Sequence, residues 1–206
     1  MGVNHQPARV CTVSEFPESG APPPGSPMAE LPLRTARLIL RPYGQGDAPH
    51  IVALLDDPVM ADFLMVTPQP FVEFDARQLV RAAWRRLTTG RGFDLMIVAK
   101  DGGAPLGGVG VGLHDDGTRA ELGFWIGRAH WGRGYATEAA SRMIDFAREA
   151  LGVARITATA AEANAASRRV LDKLGFVATG QGERKVPSTG EMRPVILFEL
   201  AGTGAP

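Results

Sequence analysis

The segment that decides the fold is Trp131–Thr137, which reads Trp-Gly-Arg-Gly-Tyr-Ala-Thr and precedes a predicted long helix, Tyr135–Leu151. Gly132 and Gly134 lack Cβ atoms, so they can adopt backbone angles that other residues avoid and let N–H groups approach a ligand. The free N–H groups and the positive dipole end of a helix N-terminus favour an anion, typically phosphate, and Arg133 could add a charge. The segment therefore predicts a phosphate-binding loop, with a tight turn that binds nothing as the alternative.

The residues around these glycines exclude two common nucleotide-binding motifs. Thr137 stands where the dinucleotide fingerprint G-x-G-x-x-G has its third glycine, and no Lys-Ser or Lys-Thr pair follows, as a P-loop requires. The loop belongs to neither class.

Hydrophobic periodicity outward from the loop predicts an α+β fold, in the order β-α-α-β-β-β-α-β-α-β-β. The predicted strands are Leu33–Arg41, Phe93–Lys100, Pro105–His114, Thr118–Gly127, Arg155–Ala161, Phe176–Glu183 and Pro194–Leu200. The predicted helices are a short one capped by Asp47 and running to about Asp56, then Phe71–Thr88, Tyr135–Leu151 and Ala165–Leu174. The third strand carries Gly107, Gly108, Gly110 and Gly112, which indicate either a crowded site or a bend in the sheet.

Composition sets limits on the class of protein. Of 206 residues, 45% are hydrophobic, which suits one globular domain, and we assign it to residues 31–202, after a Pro/Gly-rich tail at 1–30 that we expect to be disordered. Lys plus Arg equals Asp plus Glu, so the formal net charge is zero and no nucleic-acid partner is expected. The single cysteine, Cys11, and the lack of a secretory or membrane-spanning apolar run predict a cytoplasmic protein without a membrane partner.

Sequences on both sides of the loop resemble a known family. Glu121–Gly127, the loop itself and Ala136–Ala139 together resemble the acetyl-CoA-binding motif of the Gcn5-related N-acetyltransferase (GNAT) family. Asn164–Ser167 and Lys173–Phe176 resemble its second signature, and a segment near the start, Thr35-Ala36-Arg37-Leu38, resembles its first strand. The similarity covers about residues 33–200 and is greatest to the branch that acetylates the N-termini of ribosomal proteins.

The resemblance implies a fold and a cofactor site. The fold would be a mixed, mostly antiparallel seven-stranded sheet flanked by about four helices and splayed between strands 4 and 5. Acetyl-CoA would serve as co-substrate without a metal, with its pyrophosphate on the loop N–H groups and its pantetheine arm in the splay. The implied cofactor-binding residues are Phe124, Ile126, Trp131, Gly132, Arg133, Gly134, Tyr135, Ala136, Thr137 and Asn164.

Two residues are candidates for catalysis. Glu121 is the candidate base for the amine, directly or through a water, with a solvated Glu at a strand edge as the alternative. Many relatives protonate the leaving thiolate with a tyrosine, but this chain has Leu171 at that position. Ser167 is therefore the candidate thiolate partner, and an ordinary first-turn serine is the alternative. His130 borders the loop and could touch a substrate, although a surface role is the simpler interpretation.

The acceptor remains open at this point. We expect a monomeric or homodimeric N-acetyltransferase that acts on a protein or peptide N-terminal α-amine. A small-molecule amine, such as an antibiotic or a metabolite, is the alternative acceptor, and a non-catalytic acyl-CoA-binding module is a further alternative.

Overall fold

One open sheet carries the fold in the computed structural model, which describes residues 25–64, 68–186 and 189–200. Its strands are β1 Leu33–Arg34, β2 Leu38–Pro42, β3 Gly92–Ala99, β4 Pro105–Leu113, β5 Arg119–Ile126, β6 Arg155–Ala161, β7 Val177–Lys185 and β8 Met192–Leu200. The α-helices are α1 Ala48–Leu55, α2 Pro58–Leu64, α3 Glu73–Thr88, α4 Tyr135–Glu149 and α5 Ala165–Lys173. The mixed α and β architecture is confirmed, with one strand and one helix more than predicted.

The strands follow the order β1-β2-β3-β4-β5-β6-β8-β7. The pair β5–β6 is parallel and the other neighbouring pairs are antiparallel. Parallel neighbours need a long crossover, and helix α4 supplies it. The mixed, mostly antiparallel sheet that the resemblance implies is thus confirmed.

The predicted first strand is in fact two strands. Leu38 donates its backbone N–H to the Thr35 hydroxyl at 2.8 Å, and this local bond forms a turn between β1 and β2. A threonine hydroxyl that binds the nearby backbone competes with sheet pairing, which explains the break. The turn directs Arg37 away from the sheet and towards helix α4.

Helix α2 was not predicted, although its start signals are present. Asp57 accepts a hydrogen bond from the Val59 N–H at 2.8 Å, and Pro58 occupies the first helical position.

The prediction that Asp47 caps helix α1 is wrong, because its side chain makes no capping hydrogen bond there. Its carboxylate instead accepts two hydrogen bonds from Arg41, at 2.7 and 2.8 Å, and one from the Gly44 N–H.

The sheet is covered on both faces. Helix α4 packs on one face against a large apolar core, and helices α1 to α3 pack on the other against a smaller one. Alternation along β3 explains the division, because Leu95 belongs to the first core and Met96 to the second. The glycines of β4 at positions 108, 110 and 112 lie opposite Met96, Asp94 and Gly92, on the second face.

The splay expected from the family is present. Strands β5 and β6 pair only from Arg119 to Leu122 and from Arg155 to Ala158. Among the described residues, the β5 segment 123–126 has no partner on the β6 side, while the β6 segment 159–161 pairs only with β8. A V-shaped gap therefore opens in the middle of the sheet, and we call it the splay.

The predicted tail lies mostly outside the described residues, which begin at 25. Pro27–Glu30 forms a short 3-10 helix, and Met28 and Leu31 pack against the large core. Within the described ranges, no helix is both long enough and apolar enough to cross a membrane.

Candidate active site

A cleft of about 330 Å³ opens where the end of β5 meets the glycine loop, the first turn of α4 and helix α5. Ten of the twelve residues proposed from the sequence line it, namely Phe124, Ile126, Trp131, Gly132, Gly134, Tyr135, Ala136, Thr137, Asn164 and Ser167. Arg133 and Glu121 do not. We call this space the cofactor cleft.

The glycine loop has the conformation that its sequence predicts. Gly132 and Gly134 have φ angles of +74° and +78°, a region that favours glycine. Helix α4 begins at Tyr135, and its first backbone bond runs from the Glu138 N–H to the Gly134 carbonyl at 3.1 Å. Within the described residues, the N–H groups at 135–137 therefore have no acceptor and remain available to an anion at the helix N-terminus.

An ionic network braces the loop from behind. Glu138 accepts hydrogen bonds from the Thr35 hydroxyl at 2.6 Å, the Arg37 N–H at 2.8 Å and Arg37 Nε at 2.7 Å. Partial burial acts to raise the pKa of Glu138, but these hydrogen bonds outweigh it and hold the pKa below its usual value. Arg37 also donates from Nη1 to the Arg133 carbonyl at 3.0 Å. The backbone of Arg133 thus belongs to the brace, and its side chain is not part of the cleft lining.

Trp131 fixes the other end of the loop. Its indole Nε1–H donates to the Ile126 carbonyl, at the end of β5, at 2.6 Å. Its ring lies 6.2 Å from that of Phe63, on helix α2, measured between centroids. The tryptophan therefore ties the loop to β5 and to the helix that the sequence analysis missed.

Helix α5 forms the opposite wall. Asn164 caps it by accepting the Ser167 N–H at 3.0 Å. Arg169 and Lys173 also line the cleft, one helical turn apart, and the sequence analysis did not identify them. Their i, i+4 spacing on a helix that follows the Asn164 cap was the signal that could have found them.

A second, larger cavity of about 720 Å³ lies beside the cofactor cleft. The two spaces share Phe63, Leu64, Phe124, Trp125, Asn164 and Ser167 as walls. Glu121 lines this second cavity, where its Oε1 accepts from Arg184 Nη2 at 2.9 Å and from the Thr159 hydroxyl at 3.1 Å. Leu171, buried where many relatives carry a tyrosine, lines it as well. We call this space the acceptor cavity.

The floor of the acceptor cavity explains the glycine-rich strand. A Cβ atom on Gly108 would lie 2.3 Å from the Tyr43 hydroxyl, and one on Gly110 would lie 2.3 Å from Asp94 Oδ1. A Cβ on Gly112 would come within 2.5 Å of Arg86 Nη2. Real side chains do not tolerate such distances, so the glycines make room for polar groups that lie flat on β4.

Two of these polar groups are strongly affected by burial. Burial raises the pKa of the Tyr43 phenol far above its usual value, and the nearby Asp94 carboxylate raises it further, while Trp125 opposes the shift through a hydrogen bond. Burial also raises the pKa of Asp94, and the Arg86 guanidinium offsets part of that rise.

His130 lines the cofactor cleft and His114 the acceptor cavity. In the described part of the chain, no three His, Cys, Asp or Glu residues form a group that could hold a metal ion.

Comparisons with known proteins agree with this geometry. Residues 37–177 match the family model described as "Acetyltransferase (GNAT) domain". An uncharacterized N-acetyltransferase p20 of Bacillus licheniformis is 30% identical over 169 residues, which cover 82% of this chain and 94% of that protein.

Two solved structures share the fold. The ribosomal-protein-S5-alanine acetyltransferase of Vibrio fischeri superposes with a TM-score of 0.70 at 20% identity, over 84% of this chain and 98% of that one. RimJ of Mycobacterium smegmatis, solved in complex with CoA-disulfide, superposes with a TM-score of 0.69 at 23% identity, over 80% and 81% of the two chains. The family match covers more than half of the sequence and includes the glycine loop, the splay and both catalytic candidates. The chain is a member of the GNAT family of acyl-CoA-dependent N-acetyltransferases.

Proposed function

We propose that this protein transfers the acetyl group of acetyl-CoA to the α-amine of a protein or peptide N-terminus. The observation that carries the proposal is that the cofactor cleft and the acceptor cavity share Phe124 and Ser167 as walls, at the splay. A thioester held from one side and an amine held from the other would meet there.

The residues present fit the pyrophosphate of a CoA molecule. The free N–H groups at 135–137 lie at the positive end of the α4 dipole, which stabilises an anion. Arg169 and Lys173 line the same cleft and supply two positive charges. Trp131 and Phe63 provide an apolar wall between the loop and helix α2.

The splay fits the extended part of the cofactor. On the β6 side, the backbone of β5 from 123 to 125 has no partner among the described residues, so its N–H and C=O groups on that side are free to pair with an amide-containing chain. Phe124 and Ile126 line the cleft at this point. An N–H of this stretch would also donate to the thioester carbonyl and stabilise the oxyanion that forms when the amine attacks.

Ser167 and Glu121 are the proposed catalytic residues. Ser167 lines both spaces, so its hydroxyl can donate to the sulfur as the C–S bond breaks. Glu121, held by Arg184 and Thr159 in the acceptor cavity, takes the proton that the amine loses, directly or through a water.

The ease with which the acceptor loses its proton favours an α-amine over a lysine amine. An α-amine has a pKa of about 7.7–8.0, whereas a lysine amine has one of about 10.4 and is therefore far less often deprotonated at neutral pH. Because Arg184 and Thr159 already engage Glu121, an acceptor that needs little help in losing its proton suits this site.

The test is an acetyl-CoA turnover assay that follows thiol release against three acceptor classes. They are peptides with a free N-terminus and no lysine, N-terminally blocked peptides with one lysine, and small amines. We expect the highest kcat/KM with the free N-terminal peptides. A higher value for small amines or lysine peptides would contradict the α-amine assignment, and no turnover with any class would contradict the enzymatic function.

A further inference from the structure

The acceptor cavity contains a second carboxylate, Asp94, which the chemistry proposed above does not use. Asp94 lies on β3, opposite Gly110 of β4, and Gly110 in turn lies opposite Gly123 of β5. Glu121 lies on β5 opposite Gly112, which is two residues after Gly110 on β4. Because side chains alternate between sheet faces, Asp94 and Glu121 project from the same face.

The floor beside the two carboxylates is only partly covered by side chains. Neighbouring strands are about 4.8 Å apart, so Asp94 and Gly123 lie about 10 Å from each other across β4. Asp94 Oδ1 itself lies over Gly110, whereas the floor at Gly123 is open, since a Cβ atom there would meet nothing within 4 Å. The row Asp94–Gly110–Gly123 is adjacent to Phe124, where the acceptor cavity shares a wall with the cofactor cleft.

The two oxygens of Asp94 have different surroundings. Oδ2 forms an ion pair with Arg86 Nη1 at 3.0 Å. Oδ1 lies over Gly110, where a Cβ would be 2.3 Å away, and no described residue donates a hydrogen bond to it. Among the described side chains, Arg168 Nε is the only polar atom that is both fully buried and without a hydrogen-bond partner. Because Asp94 Oδ1 also lacks a partner, it cannot be fully buried and is in contact with solvent. One oxygen is thus fixed and the other is free at the cavity floor.

We propose that Asp94 binds the ammonium group of the incoming acceptor before that group loses its proton. This inference rests on the acetyltransferase function proposed above. A hydrogen bond between an ammonium and a carboxylate is charge-assisted, and it is stronger where water is partly excluded. Arg86 holds the carboxylate in place, and the open floor at Gly123 gives the amine room to lie beside Asp94.

The first experiment measures steady-state kinetics of Asp94→Asn with the best acceptor of the turnover assay. Asparagine keeps the shape and removes the charge, and the Arg86 side chain is 44% exposed, so it can turn to solvent. Loss of a charge-assisted hydrogen bond should raise the acceptor KM about ten- to a hundredfold, with the KM for acetyl-CoA unchanged. A purely structural role would instead alter both KM values and the melting temperature.

Asp115→Asn is the matched control. Asp115 forms an exposed ion pair with Arg91 near the same cavity and does not line it. The control removes an equal charge and should leave the acceptor KM within about twofold of the wild-type value. A comparable rise in both variants would show a general charge effect and overturn the proposal.

A binding experiment decides the question independently of turnover. Calorimetry on the CoA-loaded protein compares a free N-terminal peptide with its N-acetylated form. We expect the wild type to prefer the free amine about tenfold or more and Asp94→Asn to lose that preference. A preference that is missing in the wild type, or unchanged in the variant, overturns the role of Asp94. If binding behaves as expected but no amine turns over, the enzymatic proposal fails and the recognition role of Asp94 stands.

Discussion

Arg37 Nε lies 2.7 Å from Glu138 Oε2, and this ion pair connects the turn between β1 and β2 to the first turn of helix α4. The guanidinium of Arg37 also lies 4.8 Å from the centre of the Tyr135 ring and donates to the Arg133 carbonyl. Two sequence signatures about 100 positions apart are therefore one structural unit. Glu138 would repel a phosphate at the helix N-terminus, and Arg37 neutralises it.

Arg37→Ala should weaken acetyl-CoA binding without removing a residue that lines the cofactor cleft. The loop would lose its brace at Arg133, and Glu138 would keep an uncompensated charge beside the anion site. We expect about a tenfold loss of affinity, the equivalent of one charge-assisted contact, by calorimetry. Arg77→Ala removes the exposed i, i+4 pair with Glu73 on helix α3 and serves as the control. Equal affinity in the two variants would show that the brace has no role in binding.

Glu138→Gln should lower stability in a way that depends on pH. The pKa of Glu138 is lower in the folded protein than in the unfolded chain, so its contribution is complete above the unfolded value. That contribution is lost as the pH falls through the folded pKa. We expect a difference of about 1–2 kcal/mol in the free energy of unfolding at pH 7, shrinking towards zero in acid. Urea titrations of both proteins between about pH 7 and about pH 3, a range that includes the usual pKa of a Glu carboxyl, would show this decrease. A difference that stays constant with pH would contradict the prediction.

Gly134→Val should greatly reduce acetyl-CoA affinity. Valine avoids positive φ angles, and its branched side chain would stand beside the free N–H groups at the helix start. Gly152→Val is the matched control, because Gly152 has a φ angle of +66° beyond the other end of the same helix. Calorimetry should show a loss of at least about tenfold for the first variant only, since both carry a similar backbone strain of about 1–2 kcal/mol. Equal losses would mean that strain, and not the phosphate site, controls affinity.

Ser167→Ala should lower kcat while leaving the affinity for acetyl-CoA nearly unchanged. General acid help is worth about 10²–10⁴ in rate, and a thiol with a pKa of about 8.5 leaves fairly well without it. We therefore expect a loss of about a hundredfold, at the lower end of that range. The Asn164 cap accepts from the Ser167 backbone N–H, so the variant keeps its helix start. A wild-type rate with chemistry shown to limit turnover would leave Ser167 as a first-turn residue only.

Local sequence signals were sufficient for most of the helices and strands and for the conformation of the glycine loop. The positive φ angles at Gly132 and Gly134, the Asn164 cap and the start of α4 all follow from short-range chemistry. The catalytic roles of Glu121 and Ser167 stay predictions.

Features that depend on tertiary contacts were harder to predict. Helix α2 is only seven residues long, too short for its periodicity to separate it from a loop. Asp94 and Arg86 become neighbours only when α3 packs beside β3, and nothing near either residue indicates that contact. The glycines of β4 marked the crowded place, but their sequence could not identify the polar groups that fill it.

The splay also gives this sheet an edge in its interior. Exposed edges are templates for aggregation, and proteins usually blunt them with charge or a covering element. Here the geometry protects the edge, because the gap closes where Leu122 meets Ala158. A strand that enters in the plane of the sheet must end at that point or turn out of the plane. A continuous foreign strand therefore cannot extend through the gap in the plane of the sheet.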